Sequence, residues 1–443
     1  MKDDRPESNG ESAGARVLAF LSEAAASARE FEREALGRII EGNSMGRDIE
    51  PWARRKLLEP DTAGLALESC AKCGSCKARC PVYDITGNEA FSPRGRLMLL
   101  KGLAEGRITP GGGLLKRISA CLLCGRCDVS CPVGIKPTEF IYRGREALRK
   151  LDTGRLMMRT AVRIGLRQPA FSLAALRYVK KLKFLPGGIA FPGGRPASPP
   201  DRQTGVIGPR KPTGRVAVFA GCVANYLMPE TVPALVSMLV SMGYEVVMPR
   251  GEVCCGMPLM GLGFEREAKK FAAKNLDLFG PLNVEAVITP CPTCAGMIKN
   301  RYAGLAGAGV EKAIDSAQFF LKKLAGRMDD TVTRASGRER LIWHEPCHLR
   351  YGLGFDAGPL LRLLGIERPR EDGCCGLGAR LTDRETSEEL LSRRVSAYKD
   401  AARVVTACPG CRMQLELGGL QTAHILEIIE ERFFSETVPA PRD

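Results

Sequence analysis

The chain has 443 residues, enough for two or three domains with cores of their own, and its 44% apolar and 26% charged content is ordinary for a soluble globular protein. No run of about eighteen uninterrupted apolar residues occurs. The best stretch, 231–248, is broken by Pro233, Gly243 and Glu245, and the polar N-terminus MKDDRPESNGESAGA is no secretory signal. A cytoplasmic location is therefore expected, where thiols stay reduced and eighteen cysteines imply metal. The net charge of +15 is uneven: residues 151–215 hold thirteen Lys and Arg against only Asp152 and Asp201.

In chain order, residues 1–15 read as disordered and 16–41 as a helix with Val17, Phe20, Leu21 and Ala24 at helical spacing, so 1–61 is taken as an N-terminal tail and helix. Residues 62–150 carry two cysteine runs. CAKCGSCKARCP supplies Cys70, Cys73, Cys76 and Cys80 before Pro81; CLLCGRCDVSCP supplies Cys121, Cys124, Cys127 and Cys131 before Pro132. Both follow C-x2-C-x2-C-x3-C-P, the spacing of bacterial two-cluster ferredoxins, in which three thiolates wrap one face of a 4Fe-4S cube and the fourth crosses to the other cube. The expected sets are Cys70, Cys73, Cys76 and Cys131 for one cluster, and Cys121, Cys124, Cys127 and Cys80 for the other. The forty residues between the runs include the helix-like RGRLMLLKGLAEG, which predicts a helical ferredoxin domain.

Residues 151–214 combine a basic helical segment with a Pro/Gly-rich linker. Arg155, Arg159, Arg163 and Arg167 form a tilted basic stripe opposite Leu156, Val162 and Leu166, followed by Lys180, Lys181 and Lys183. Contact through 151–183 with anionic lipid at the inner face of the membrane, or with an acidic partner, is weighed against a solvated or internally paired face, for which Glu30, Glu32 and Glu34 are available. Nucleic acid is not expected, because no aromatic platform interleaves the charges.

From 215 an internal repeat appears, taken as 215–325 and 338–435. In the first copy a short apolar run ends at Cys222, then come Cys254-Cys255-Gly256 and Cys291-x-x-Cys294. The second has Cys347, then Cys374-Cys375-Gly376 and Cys408-x-x-Cys411. Strand and helix patterns alternate, predicting two α/β units with mainly parallel sheets and cysteines at the carboxyl edge. The fold class expected is thus multidomain: an α-helical ferredoxin domain followed by two α/β repeats.

Each repeat offers five thiolates, one more than a cubane cluster needs. A cluster opened beyond the cubane shape could use the fifth as a bridge, whereas zinc needs only four. Vicinal disulfides are disfavoured in a reducing cytosol. The two repeats closely resemble the CCG domains of heterodisulfide reductase catalytic subunits and of glycolate oxidase iron–sulfur subunits. Ser92-Pro93-Arg94-Gly95-Arg96 is similar to the SPRGR segment of the latter, and His344-Glu345-Pro346-Cys347-His348 to the opening of the second repeat in both. The resemblance implies one or two further iron–sulfur clusters in the CCG repeats, non-cubane in the reductase type. The spacing of the second copy is shorter: 26 residues precede its CCG and 31 follow, against 31 and 34 in the first.

GLGFER (261–266) and GLGFDAG (352–358) do not complete a dinucleotide fingerprint, and no hydrolytic triad or carboxylate pair stands out. FAD is therefore expected only on a partner subunit. The resemblance implies an electron-transfer subunit of an FAD-linked 2-hydroxyacid (glycolate/lactate-type) dehydrogenase, delivering electrons to a quinone or other acceptor. The alternatives are a heterodisulfide-reductase-like catalyst and a zinc-bearing scaffold without redox function. His344 and His348 are read as loop histidines beside Cys347 with a tuning or proton-relay role as the alternative, and His424 as part of a packing helix.

Overall fold

A computed structural model describes residues 51–61, 64–149, 205–228, 230–324, 339–369 and 373–434, with Val162, Gly165 and Leu166 between them. The helix expected over 16–41, the arginine stripe and Lys180, Lys181 and Lys183 lie outside the described residues. Val162 and Leu166 are half-buried against the main core.

The region that carries the two ferredoxin-like runs is helical, with no strand among the described residues before 205. Its principal helices are Pro51–Leu58, Pro81–Thr86, Pro93–Ala104, Gly112–Ser119 and Pro137–Leu148. Proline opens four of them, where its missing N–H has no partner to lose and its fixed φ suits a helix. Leu57, Leu97, Leu100, Ile118, Phe140 and Leu148 fill the space between, each burial stabilising by roughly 1.5–3 kcal/mol. A Cβ on Gly144 would lie 2.6 Å from Leu100, so the crossing of Pro93–Ala104 and Pro137–Leu148 depends on glycine there.

Two sheets follow. Strands β1 (Gly205–Ile207), β2 (Gly214–Val218), β3 (Tyr244–Met248), β4 (Ala286–Thr289) and β5 (Ala313–Asp315) stand in the order β1-β3-β2-β4-β5. All neighbours are parallel except β1, which runs antiparallel on β3 with Val206 opposite Val247. β1 lies in the stretch read as linker: its three residues have no core face of their own and form a strand only because β3 offers an edge. Strands β6 (Leu341–Trp343), β7 (Arg403–Thr406) and β8 (Thr422–His424) form a parallel second sheet in that order. A single parallel bridge, Ile342 to Glu367, stands where β3 would be. The two sheets thus repeat one plan, β2, β4 and β5 answering to β6, β7 and β8, and both repeats supply one apolar cluster that runs from Leu235 and Phe320 to Trp343, Leu360 and Ile428. The helix read over 383–402 covers Arg384–Ala397; Asp383 caps its start and Tyr398 closes it.

Arg145 ties the helical region to the first sheet domain. Its buried guanidinium donates to the carbonyls of Ile118, Ser119 and Cys121 and, at 2.6 Å, to Gly261. Arg145→Met should leave these four carbonyls without that donor, and we expect a loss of about 3–5 kcal/mol, read as a lower urea midpoint.

Candidate metal centres

The two ferredoxin runs share one backbone trick. Lys72 and Leu123, each just before the second cysteine of its run, have φ of 57° and 55°, and the glycines just after, Gly74 and Gly125, have φ of 88° and 75°. This double left-handed turn folds each run back on itself, so its cysteines converge. One pocket is lined by Cys70, Cys73, Cys76 and Cys131 with Leu97, Ile135 and Pro137. Another is lined by Cys80, Cys121, Cys124 and Cys127 with Val82, Leu122 and Ile141. The last cysteine of each run therefore lies with the first three of the other.

The SPRGR segment serves both pockets. Ser92 caps the helix by accepting from the Gly95 N–H at 2.9 Å, and a Cβ on Gly95 would lie 1.9 Å from the Glu89 carbonyl oxygen. Arg94 lines the first pocket and donates to the Lys72 carbonyl and, at 2.8 Å, to Glu89. Arg96 lines the second. It is 1% exposed and donates through Nε to the Arg117 carbonyl, while its Nη2 is buried with no hydrogen-bond partner. Arg126 also lines the second pocket, its Nε likewise without a partner and its guanidinium over the Tyr351 ring. Buried, under-satisfied cations beside four thiols fit an anionic group such as a thiolate-held iron–sulfur cluster. Burial pushes the Cys80, Cys124 and Cys127 thiols up, so loading the pocket must release protons.

In the sheet domains the cysteines follow the carboxyl ends of parallel strands, except Cys374-Cys375, which follow the Ile342–Glu367 bridge. Neighbouring thiols lie in series: Cys222 is 3.5 Å from Cys254, Cys255 lies beside Cys254 and Cys294, and Cys294 beside Cys291. The second set repeats the order, Cys347 to Cys374, Cys374 to Cys375, Cys375 to Cys411 at 3.4 Å, and Cys411 to Cys408. Cys291 and Cys408 meet, joining the two sets into one row of ten thiols. The free end of the second set continues into the helical region, where Cys374 and Cys347 pack in one cluster with Cys80 and Cys124.

Adjacent cysteines can turn to one site because Gly256 and Gly376 follow in the left-handed region, φ 94° and 85°, and a Cβ on Gly376 would come 2.5 Å from the Ser387 carbonyl. The first pair is clamped by Asn275, which accepts from the Val253 N–H and donates to the Val253 and Cys254 carbonyls, and by the Tyr302 hydroxyl, which donates to the Cys255 carbonyl at 3.1 Å. Glu252 accepts from the N–H groups of Ala220 and Gly221 and so pins the Cys222 loop.

All three histidines are buried or part-buried at this junction. The Thr293 hydroxyl donates to His348 Nδ1 at 2.8 Å, and His348 Nε2–H donates to the Leu123 carbonyl at 3.2 Å, so one imidazole joins the first Cys-x-x-Cys loop to the second ferredoxin run. His424 corrects the expectation of a residue within a packing helix: it ends β8 and caps helix Ile425–Phe433, with Nδ1 accepting from the Leu426 N–H. Its Nε2 lies 3.0 Å from the carbonyls of both Pro290 and Ala407, the residues before Cys291 and Cys408. Burial lowers the pKa of His344 and His424 to about 4, so both stay neutral. Arg96, Arg126 and His424 escape motif reading. Only the place of Arg96 in SPRGR hints at a role.

Comparisons with known proteins match both cysteine-bearing regions. A 4Fe-4S dicluster domain model matches residues 66–135, and a cysteine-rich domain model matches twice, at 216–299 and 341–416. The chain is 28% identical over 399 residues to the probable glycolate oxidase iron-sulfur subunit of Bacillus subtilis (strain 168), covering 80% of this chain and 89% of the relative. It is 28% identical over 419 residues to the glycolate oxidase iron-sulfur subunit of Escherichia coli (strain K12), covering 86% and 97%. It is 27% identical over 392 residues to a subunit of the fumarate reductase (CoM/CoB) of Methanothermobacter marburgensis, covering 82% and 72%.

Proposed function

We propose that this chain, in which a 4Fe-4S dicluster domain match precedes two cysteine-rich domain matches and which is similar over most of its length to glycolate oxidase iron–sulfur subunits, is the electron-transfer subunit of an FAD-linked 2-hydroxyacid dehydrogenase of the glycolate or lactate type. The observation that carries this reading is that the second ferredoxin pocket adjoins the row of ten thiols, Cys80 and Cys124 packing in one cluster with Cys374 and Cys347. Cys70, Cys73, Cys76 and Cys131 would hold one 4Fe-4S cluster, and Cys80, Cys121, Cys124 and Cys127 the other. Cys222, Cys254, Cys255, Cys291 and Cys294, and Cys347, Cys374, Cys375, Cys408 and Cys411, would hold the CCG centres. When bound, these clusters supply one-electron acceptors.

The chain's own residues do the rest. Leu97, Ile135, Val82 and Ile141 exclude water from the two pockets, and Arg96 and Arg126 compensate charge in the second. The partner's flavin oxidises the substrate, a quinone or other acceptor takes the electrons, and the basic segment 151–183 contacts either anionic lipid at the inner face of the membrane or an acidic partner. No helix among the described residues is long and apolar enough to cross a membrane.

A second reading, a disulfide-cleaving catalyst, is favoured by the completeness of both five-cysteine sets and by their meeting at Cys291 and Cys408. Anaerobically purified protein decides between the two. Glycolate or lactate plus an FAD-linked dehydrogenase should bleach its clusters, and a dithiol-derived disulfide should not reoxidise them. Reoxidation by the disulfide alone would favour the catalyst, and zinc without iron in both repeats would remove both readings.

A further inference from the structure

The two CCG sites repeat one plan but differ in one donor. Three residues before the first cysteine, the first repeat has Phe219, packed at a tilt against Phe279 with ring centres 5.4 Å apart, and the second has His344. A ring nitrogen of His344 and the sulfurs of Cys375 and Cys411 all lie within 4.8 Å of one another, and all three residues are buried. We propose that the second repeat holds its metal centre through nitrogen as well as sulfur, with His344 as a ligand beside Cys375 and Cys411. This rests on the reading of the CCG sites as metal centres.

The ring is already oriented for it. His344 Nδ1 is 3.0 Å from the Tyr398 hydroxyl, and the two rings stand nearly perpendicular, at 89°. With Nδ1–H donating to the Tyr398 oxygen, the lone pair of Nε2 is left for a metal. A metal-binding imidazole is ordinarily fixed in this way, by a hydrogen bond from its other nitrogen. Tyr398 is itself held by the turn that ends helix Arg384–Ala397, and it is 1% exposed. The first repeat has no such group at the matching position, so the two centres are chemically unlike. In iron–sulfur sites, imidazole in place of thiolate raises the potential. The second centre, next to the ferredoxin cysteines, is therefore the better electron acceptor of the two.

The test uses the full chain, purified without oxygen and labelled with 15N-histidine. Pulsed electron paramagnetic resonance of the partly reduced protein should show one centre with directly coordinated histidine nitrogen. That coupling should disappear in His344→Leu, and it should persist but change in Tyr398→Phe. Iron–sulfur signals from the CCG repeats without coordinated histidine nitrogen, or with coupling that survives His344→Leu, would overturn the assignment. If His344→Leu does not fold, Tyr398→Phe decides, because His344 is the histidine bonded to Tyr398: a coupling changed by that variant supports the assignment, and one left unchanged overturns it. Should the second repeat carry zinc, the iron–sulfur reading of that site fails, and absorption spectroscopy at the zinc edge still decides: one nitrogen among sulfurs supports His344, an all-sulfur shell overturns it.

Discussion

Cys131→Ala is expected to cost the protein the cluster of the first pocket and leave the second intact, although Cys131 belongs to the second run in sequence. Iron and acid-labile sulfide should fall by one cluster's worth, and the lost signal in the reduced protein should be the same one lost in Cys73→Ala. Cys80→Ala should do the reverse and match Cys127→Ala. The basis is the exchange of fourth cysteines between pockets, Cys131 with Cys70, Cys73 and Cys76, and Cys80 with Cys121, Cys124 and Cys127. If Cys131→Ala instead abolished the signal shared with Cys127→Ala, the pairing would be by run and the pocket geometry would be the wrong guide. Because Cys80 is buried in one cluster with Cys374, Cys80→Ala should also disturb electron delivery to the CCG repeats.

Arg96→Gln is expected to lower the potential of one cluster by roughly 60–130 mV. A hydrogen bond or contact to a charged group contributes about 1.5–3 kcal/mol, and about 59 mV corresponds to a tenfold change for one electron. The sign follows from charge: reduction adds an electron to a buried anion, and a guanidinium at 1% exposure favours the more negative state. Arg94→Gln, at a quarter-exposed side chain already paired with Glu89, should move the other cluster by less than about 40 mV because solvent screens it. Potentiometric titration followed by paramagnetic resonance separates the two clusters. Equal shifts in both, or none with Arg96→Gln, would mean that Arg96 is only structural. A lowered second cluster also makes the step into it from the outer cluster less favourable, so electrons should accumulate at the outer cluster.

Much of this protein was written in its cysteine spacing. Ferredoxin runs and CCG sets can be recognised because a metal fixes the distance between thiolates, and short loops translate that distance into fixed sequence separations. The parallel sheets were legible too, since buried β-strands leave apolar runs such as VAV and RVVT, which the structure places in β2 and β7. The fold class and the iron–sulfur family therefore needed no coordinates.

Tertiary structure alone decided which centres adjoin. Nothing in the order of the cysteines says that Cys291 meets Cys408, or that Cys374 packs beside Cys124, because those contacts join elements more than a hundred residues apart. It likewise decided that Arg96 faces a pocket with an unpartnered Nη2, that His424 caps a helix while reaching two cysteine loops, and that β1 forms on a borrowed edge. Local sequence specifies ligands and strands through short-range geometry; the surroundings of a ligand are set by what packs over it, and packing is a property of the whole chain.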